Sequence, residues 1–278
     1  REYDLAISFL TPHYICGHNV RAKKKVAWIH TDYSRVQVNR ESELVMWNQY
    51  DHIASISDTV TESFLGTFPE LKEKIVLIEN ILPEKLICSQ TEAFSAEPEM
   101  PERGIRLLSI GRFCTAKNFD NVPDMCARLL QYGLDVYWYI IGFGGDEALI
   151  RQRIKEAGME DRVIILGKKD NPYPYIKACD LYVQPSRYEG KCVSVLEAQM
   201  LGKPVVIARY APSASQLAEG VDGVIVPKDN EGCAEGIAQL LRNKERMMDL
   251  VKNCAASDYS NKKEADKLRA LLEGSEDR

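Results

Sequence analysis

The sequence predicts an α/β protein of doubly wound type, and three observations carry that prediction. Ten short runs rich in β-branched and aromatic residues punctuate the chain. Helical patterns separate them, as crossover connections would. The runs are apolar on both faces, which suits parallel strands covered by helices on either side rather than strands with one wet face. The first four are "YDLAIS" from Tyr3, "KVAWIH" ending at His30, "HIASIS" from His52 and "KIVLIEN" from Lys74. The other six are "IRLLSIG" ending at Gly111, "VYWYIIG" ending at Gly142, "RVIILG" ending at Gly167, "DLYVQPS" ending at Ser186, "PVVIAR" from Pro204 and "GVIVP" from Gly223.

A chain of 278 residues is long for one domain, since domains run to roughly 100–200 residues. The stretch "SQTEAFSAEPEMPERG", residues 89–104, is rich in Pro, Glu and Ser and has no apolar period, so it reads as a linker. That predicts a four-strand first unit over 1–88, a six-strand second unit over 105–255, and a helical tail over 256–278 built on "NKKEADKLRALLEG" from Asn261.

Composition narrows the function. With 45% hydrophobic and 28% charged residues the chain buries an ordinary core, which excludes disordered and fibrous proteins. A formal net charge of −5 gives no footprint for nucleic acid. Lys23, Lys24 and Lys25 read as solvated lysines, though such a patch suits an anionic surface as well. No apolar run approaches the roughly 18 residues of a spanning helix, and "REYDLAISFL" is no signal peptide. The eight cysteines include no C-x-x-C pair and read as reduced core thiols. A cytoplasmic protein is expected, with peripheral contact at the inner face of a membrane left open. His13, Cys16 and His18 in "HYICGH" lack a second ligand pair at zinc spacing, so no metal is assigned to them.

In open α/β sheets ligands sit beyond the carboxyl ends of the strands. Two loops of the second unit attract notice there. "GRFCTAKN" offers Gly111 for a turn and Arg112 and Lys117 as two cations, a set suited to a diphosphate. "SRYEGKCVSVLEAQMLG" places Gly190 before a helix beginning near Cys192, with Val193, Leu196 and Met200 at helical spacing. The amides at such a helix start would also favour a pyrophosphate. Glu189 and Glu197 flank that start about 10 Å apart, from 1.5 Å of rise per residue, which is too far to share a proton. Carboxylates beside a diphosphate suit sugar hydroxyls, so the pattern describes a nucleotide sugar.

The run "PSRYEGKCVSVLEAQMLGKPVV" resembles the glutamate, seven residues, glutamate motif of retaining family 4 glycosyltransferases, and "IGRFCTAKN" resembles their donor-phosphate loop. "YIIGFGGDEALI", "VIILGKKDN" and "IKACDLYVQPS" follow the family's order between the two, while "AWIHTDYS" and "YDHIASISDTV" resemble the later part of its first domain. The resemblance implies a GT-B enzyme of two Rossmann-like domains, with the donor held by the second. It implies that Arg112 and Lys117 bind the diphosphate with help from amides around Lys191 and Cys192, that Glu189 meets the donor hexose and Glu197 the ribose, and that His30 lies near the transferred sugar. The base is expected near "GKKDNPY", residues 167–173. The acceptor would be a sugar, a lipid-linked or a polymer hydroxyl. No cofactor and no metal is expected, since no Asp-x-Asp occurs in the chain.

The chain departs from the family at Gln216 in "ARYAPSASQL", where many relatives place an acid nearby. It also lacks the glycine-rich loop that opens the family's first domain, so a fragment of a longer parent is expected. Two other readings stay open: a GT-B nucleotide-sugar epimerase and a non-catalytic nucleotide-sugar-binding fragment. A dinucleotide reading of "IGFGGDE" fails because Glu147 falls where the third glycine of G-x-G-x-x-G belongs.

Overall fold

The computed structural model describes residues 1–210 and 213–273, with the side chain of Arg35 excepted. In chain order the elements are β1 (Tyr3–Leu10), β2 (Ala22–Ile29), α1 (Arg40–Trp47), β3 (His52–Ser55), α2 (Asp58–Thr67), β4 (Ile75–Leu77), α3 (Glu84–Gln90), β5 (Ile105–Ile110), α4 (Val122–Gln131), β6 (Val136–Ile141) and α5 (Glu147–Glu156). There follow β7 (Val163–Gly167), α6 (Tyr173–Ala178), β8 (Leu181–Gln184), α7 (Val193–Met200), β9 (Val205–Ala208), α8 (Ser213–Gln216), β10 (Gly223–Val226), α9 (Asn230–Arg242), α10 (Lys244–Ala256) and α11 (Lys263–Glu273). All ten expected strands are present, and every strand pair is parallel.

They form two sheets, one ordered β1-β2-β3-β4 and one ordered β10-β9-β8-β5-β6-β7. The second order is that of a doubly wound nucleotide-binding sheet, whose strand order reverses between β5 and β8. Alternate side chains of β5 feed opposite cores. Leu107 packs with Met125 of α4 and Ile237 of α9 on one face. Leu108 packs with Ile176 of α6 and Val195 of α7 on the other. Burial on both faces, at about 1.5–3 kcal/mol per fully buried aliphatic side chain, explains why these strands read as unbroken apolar runs. The helical spacing at Val193, Leu196 and Met200 marks the half-buried side of α7, whereas Val195, Ala198 and Gln199 are its buried residues. A helix this apolar all round does not reveal its core face by spacing.

By contacts the chain divides into one unit of Arg1–Leu82, Glu189–Lys191 and Asn261–Arg278, and another of Pro83–Tyr188 and Cys192–Ser260. This division differs from the expected one in three places. The stretch 89–104 is no free tether, because Ala96 and Met100 are buried in the second unit's core and its boundary falls at Pro83. The tail helix α11 belongs with the first unit, where Leu268 and Leu271 pack against a core built on Trp28, Trp47 and Phe64. Residues 189–191, midway along the second unit's sequence, also group with the first. Among the described residues no helix is long and apolar enough to cross a membrane.

Candidate functional site

The reversal of strand order sets the two loops of interest side by side, because β5 ends in one and its neighbour β8 ends in the other. The first, residues 111–118, is held down by Gly111, whose N–H donates to Ile141 O at 3.0 Å. A Cβ at Gly111 would lie 2.8 Å from Lys117 Cε, so the glycine leaves room for the lysine stem to lie across the backbone. Lys117 Nζ comes within 3.8 Å of Cys192 Sγ at the start of α7. Arg112 is exposed on the same loop.

Residues that the sequence reading did not single out tie the two loops together. Asn118, left-handed at φ 61° and buried, donates its amide to Pro185 O at 2.9 Å. Arg187 N donates to Ala116 O at 2.8 Å, and its guanidinium forks onto Asp120 at 2.9 and 2.8 Å while also reaching Thr115 O at 2.7 Å. Burial alone would raise the Asp120 carboxyl, but the Arg187 hydrogen bond and charge hold it below the ordinary range. No Asn-Gly or Asp-Gly pair marks the position, but asparagine is among the few non-glycine residues that readily take the left-handed backbone found at Asn118.

The glycines of "IGFGG" serve the same loop. A Cβ at Gly142 would sit 1.9 Å from Gly111 O, and one at Gly144 would sit 2.3 Å from Phe113 O. Their backbones therefore lie against residues 111–113, where Phe113 N donates to Phe143 O at 2.8 Å. The glycine cluster that resembles a dinucleotide fingerprint is a close-packing device beneath the cationic loop.

Helix α7 starts without a side-chain cap. Gln216 takes up the Cys192 peptide instead, accepting from its N–H at 2.7 Å and donating to its C=O at 3.2 Å. The Cys192 amide, expected among those that meet a diphosphate, thus has Gln216 as its acceptor here. The helix start then offers its following turn, from Val193 and Ser194. The neighbouring positions 211 and 212 of the same loop lie outside the described residues. One turn inside α7, Glu197 Oε1 accepts from the Tyr173 hydroxyl at 3.0 Å. Burial raises the Glu197 pKa above its ordinary value although Tyr173 lowers it, and burial together with Glu197 pushes Tyr173 up to about 12. Tyr173 closes the 167–173 segment expected near the base, in which Asn171 donates to Gln90 O at 3.0 Å and Lys169 pairs with Glu99 at 2.6 Å.

The remaining expected residues lie in the first unit. Lys191 Nζ is paired with Glu79 at 2.6 Å, so its ammonium has a carboxylate partner. A Cβ at Gly190 would fall 3.0 Å from His30 O. Glu189 is half-buried beside them in sequence. His30, just past β2, places Nε2 3.0 Å from Asn80 Oδ1, with the rings of Phe9 and Trp28 5.6 and 6.1 Å away. The expected site residues thus form two groups: His30, Glu189, Gly190 and Lys191 in one unit, and Gly111, Arg112, Lys117, Cys192 and Glu197 in the other. His13 turns its Nδ1 to Ser8 Oγ at 2.6 Å and His18 stacks on Tyr14 at 4.2 Å. Among the described residues no group of three or more His, Cys, Asp and Glu side chains is placed to hold a metal.

Comparison with known proteins gives matches of both sequence and structure. The family described as glycosyl transferases group 1 matches residues 90–256. The lipopolysaccharide core biosynthesis glycosyltransferase LpsE of Rhizobium meliloti is 29% identical over 147 residues, covering 52% of this chain and 42% of that protein. The amylovoran biosynthesis glycosyltransferase AmsK of Erwinia amylovora is 29% identical over 263 residues, covering 84% of this chain and 64% of that one. The chain therefore spans less than two thirds of the length of these relatives. Among solved structures, Anabaena HepE in complex with UDP superposes with a TM-score of 0.74 at 20% identity, over 89% of this chain and 72% of HepE. The fold is that of GT-B proteins.

Proposed function

The chain belongs to the glycosyl transferases group 1 family, and from that membership we propose that it is the donor-binding part of a retaining glycosyltransferase. Such an enzyme moves a hexose from a nucleoside diphosphate to a hydroxyl acceptor in surface-polysaccharide or glycoconjugate synthesis. The observation that carries the reading is the Lys117 ammonium 3.8 Å from Cys192 Sγ, at the mouth of α7 and at the strand-order reversal. One cationic loop and one helix start converge there, as a diphosphate requires.

Breaking the bond between the sugar anomeric carbon and the diphosphate oxygen adds one negative charge to those the two phosphates already carry in the donor. Lys117, Arg112 and the first turn of α7 would stabilise them without reorganising, and in transfer this takes the place of a divalent cation. Glu197, half-buried and one turn further in, is suited to accept from ribose hydroxyls. Glu189 and His30 are assigned to the hexose and its anomeric face, and retention places the acceptor oxygen on the face the diphosphate leaves. The relatives act in lipopolysaccharide core and amylovoran biosynthesis, which favours a saccharide acceptor. Eight cysteines outside any disulfide among the described residues suit a reducing, cytoplasmic compartment.

The direct test is a thermal-shift and calorimetric panel of nucleoside diphosphates and nucleotide sugars, with UDP first because HepE holds it. A ligand at a hundred times its dissociation constant adds about 2.7 kcal/mol of stability. No response to any of them would overturn the reading. Binding followed by epimerised sugar without acceptor would identify an epimerase, and inverted product or loss of transfer to EDTA with rescue by manganese would refute the retaining, metal-independent part.

A further inference from the structure

Past Ile78, whose N–H still donates to Ser55 O of β3 at 2.9 Å, the chain leaves the sheet, so its backbone must find partners elsewhere. It finds them in α11 and the turn before it. Lys267 Nζ donates to Leu77 O at 3.1 Å, Glu79 N donates to Glu264 Oε2 at 2.8 Å, Asn261 Nδ2 donates to Asn80 O, and Leu82 N donates to Asn261 Oδ1 at 3.0 Å. Glu264 is buried, and Lys267 reaches it at 2.9 Å. Four backbone groups over six residues are thus fixed by three side chains from the far end of the sequence, which begins some 180 positions later.

The same segment presents two side chains to the expected site residues of its own unit. Asn80 Oδ1 lies 3.0 Å from His30 Nε2, and the Glu79 carboxylate holds Lys191 Nζ at 2.6 Å. His30 Nδ1 is buried and has no hydrogen-bond partner among the described residues. An amide oxygen facing Nε2 favours the tautomer that carries its proton on that nitrogen and keeps the lone pair on Nδ1.

We propose that Asn80 is a positioning residue that fixes the ring plane and tautomer of His30, and that Asn261 and Glu264 of the C-terminal segment hold Asn80 in place to do so. The consequence for catalysis rests on the reading of His30 given above; the positioning itself does not. A side-chain amide whose backbone carbonyl is fixed, with the N–H groups of Glu79 before it and Leu82 after it also held, has little freedom to follow the ring. The ring must then adopt the orientation that meets the amide, between Phe9 and Trp28. Burial favours the neutral ring, against smaller opposing effects of Asn80 and the Trp28 backbone.

The test is long-range ¹H–¹⁵N correlation of the four imidazoles, with His30 assigned by its absence in His30→Gln. In the parent chain His30 should be a single neutral tautomer protonated at Nε2. Asn80→Ala should convert it to a mixture of tautomers, and Asn80→Asp, which keeps an acceptor, should restore the Nε2-protonated form and raise the titration midpoint. Asn261→Ala should reproduce the mixture in part while leaving His13 and His52 unmoved, a pattern that general loosening of the unit would not give. Glu264→Ala, which frees Glu79 N, should shift His30 in the same direction, and should it fail to fold, Asn261→Ala carries the test alone. Unchanged His30 signals in Asn80→Ala would overturn the proposal; moved signals with unchanged sugar transfer would sustain the positioning and dismiss His30 from the chemistry.

Discussion

The carboxamide of Gln216 brackets the peptide of Cys192, accepting its N–H at 2.7 Å and donating to its C=O at 3.2 Å. The clamp sets how the chain enters α7. Two buried hydrogen bonds at about 1 kcal/mol each would be lost in Gln216→Ala. Chemical denaturation should then report a stability loss of about 2 kcal/mol, and calorimetry a roughly tenfold loss of nucleoside diphosphate affinity as the helix start loosens. A stability loss with full affinity would reduce Gln216 to a structural residue.

Lys117 and Gly111 should behave as one unit. Charge-assisted contacts of about 1.5–3 kcal/mol predict that Lys117→Ala and Arg112→Ala each weaken diphosphate binding tenfold or more. Gly111→Ala places a methyl 2.8 Å from Lys117 Cε, so it should mimic Lys117→Ala while keeping the cation. The double variant at 111 and 117 should then bind no more weakly than Lys117→Ala alone. Additive losses in calorimetry would mean that Gly111 acts on the loop by another route.

Glu197 should trade stability for binding. Its pKa in the folded protein is raised from 4.5 by burial, so the neutral form is favoured by folding. The stability it contributes is complete below about 4.3 and is lost as pH rises through the higher folded-state value. Glu197→Gln should therefore melt above the parent at pH 7, and this advantage should shrink as pH falls toward 4. The same variant should bind nucleotides less well, since a neutral amide accepts more weakly from ribose hydroxyls. A melting difference independent of pH would exclude an ionised, desolvated Glu197.

Gly142 should tolerate no side chain. Its φ of 156° and the 1.9 Å approach of a Cβ to Gly111 O predict a cost on the order of 3 kcal/mol for Gly142→Ala. Calorimetric melting should fall by roughly 10 °C, at 2–4 °C per kcal/mol for a unit of this size. Diphosphate binding should weaken alongside, because the clash falls on the Gly111 loop. A melting temperature within a degree or two of the parent would show that the 142–144 turn can move aside.

By itself the sequence determined all ten strands, their parallel pairing and the two loops that meet at the reversal of strand order. Strands buried on both faces must be apolar throughout, and a cationic loop or a helix start is spelled out by neighbouring residues. The pairings that hold those loops were silent. Arg187 with Asp120, Asn118 with Pro185, Gln216 with Cys192 and Tyr173 with Glu197 are each separated by 24 or more positions, and an exposed polar residue looks the same in a sequence whether or not a partner awaits it. The unit boundaries failed for a related reason. Met100 lies in a stretch with no apolar period, yet it is fully buried. The stripe on α11 declares that the helix packs, while only the folded chain decides that Leu268 and Leu271 do so on the first sheet's core. Periodicity is local and survives in one dimension; a pairing across the chain exists only once folding has brought its two ends within hydrogen-bond reach.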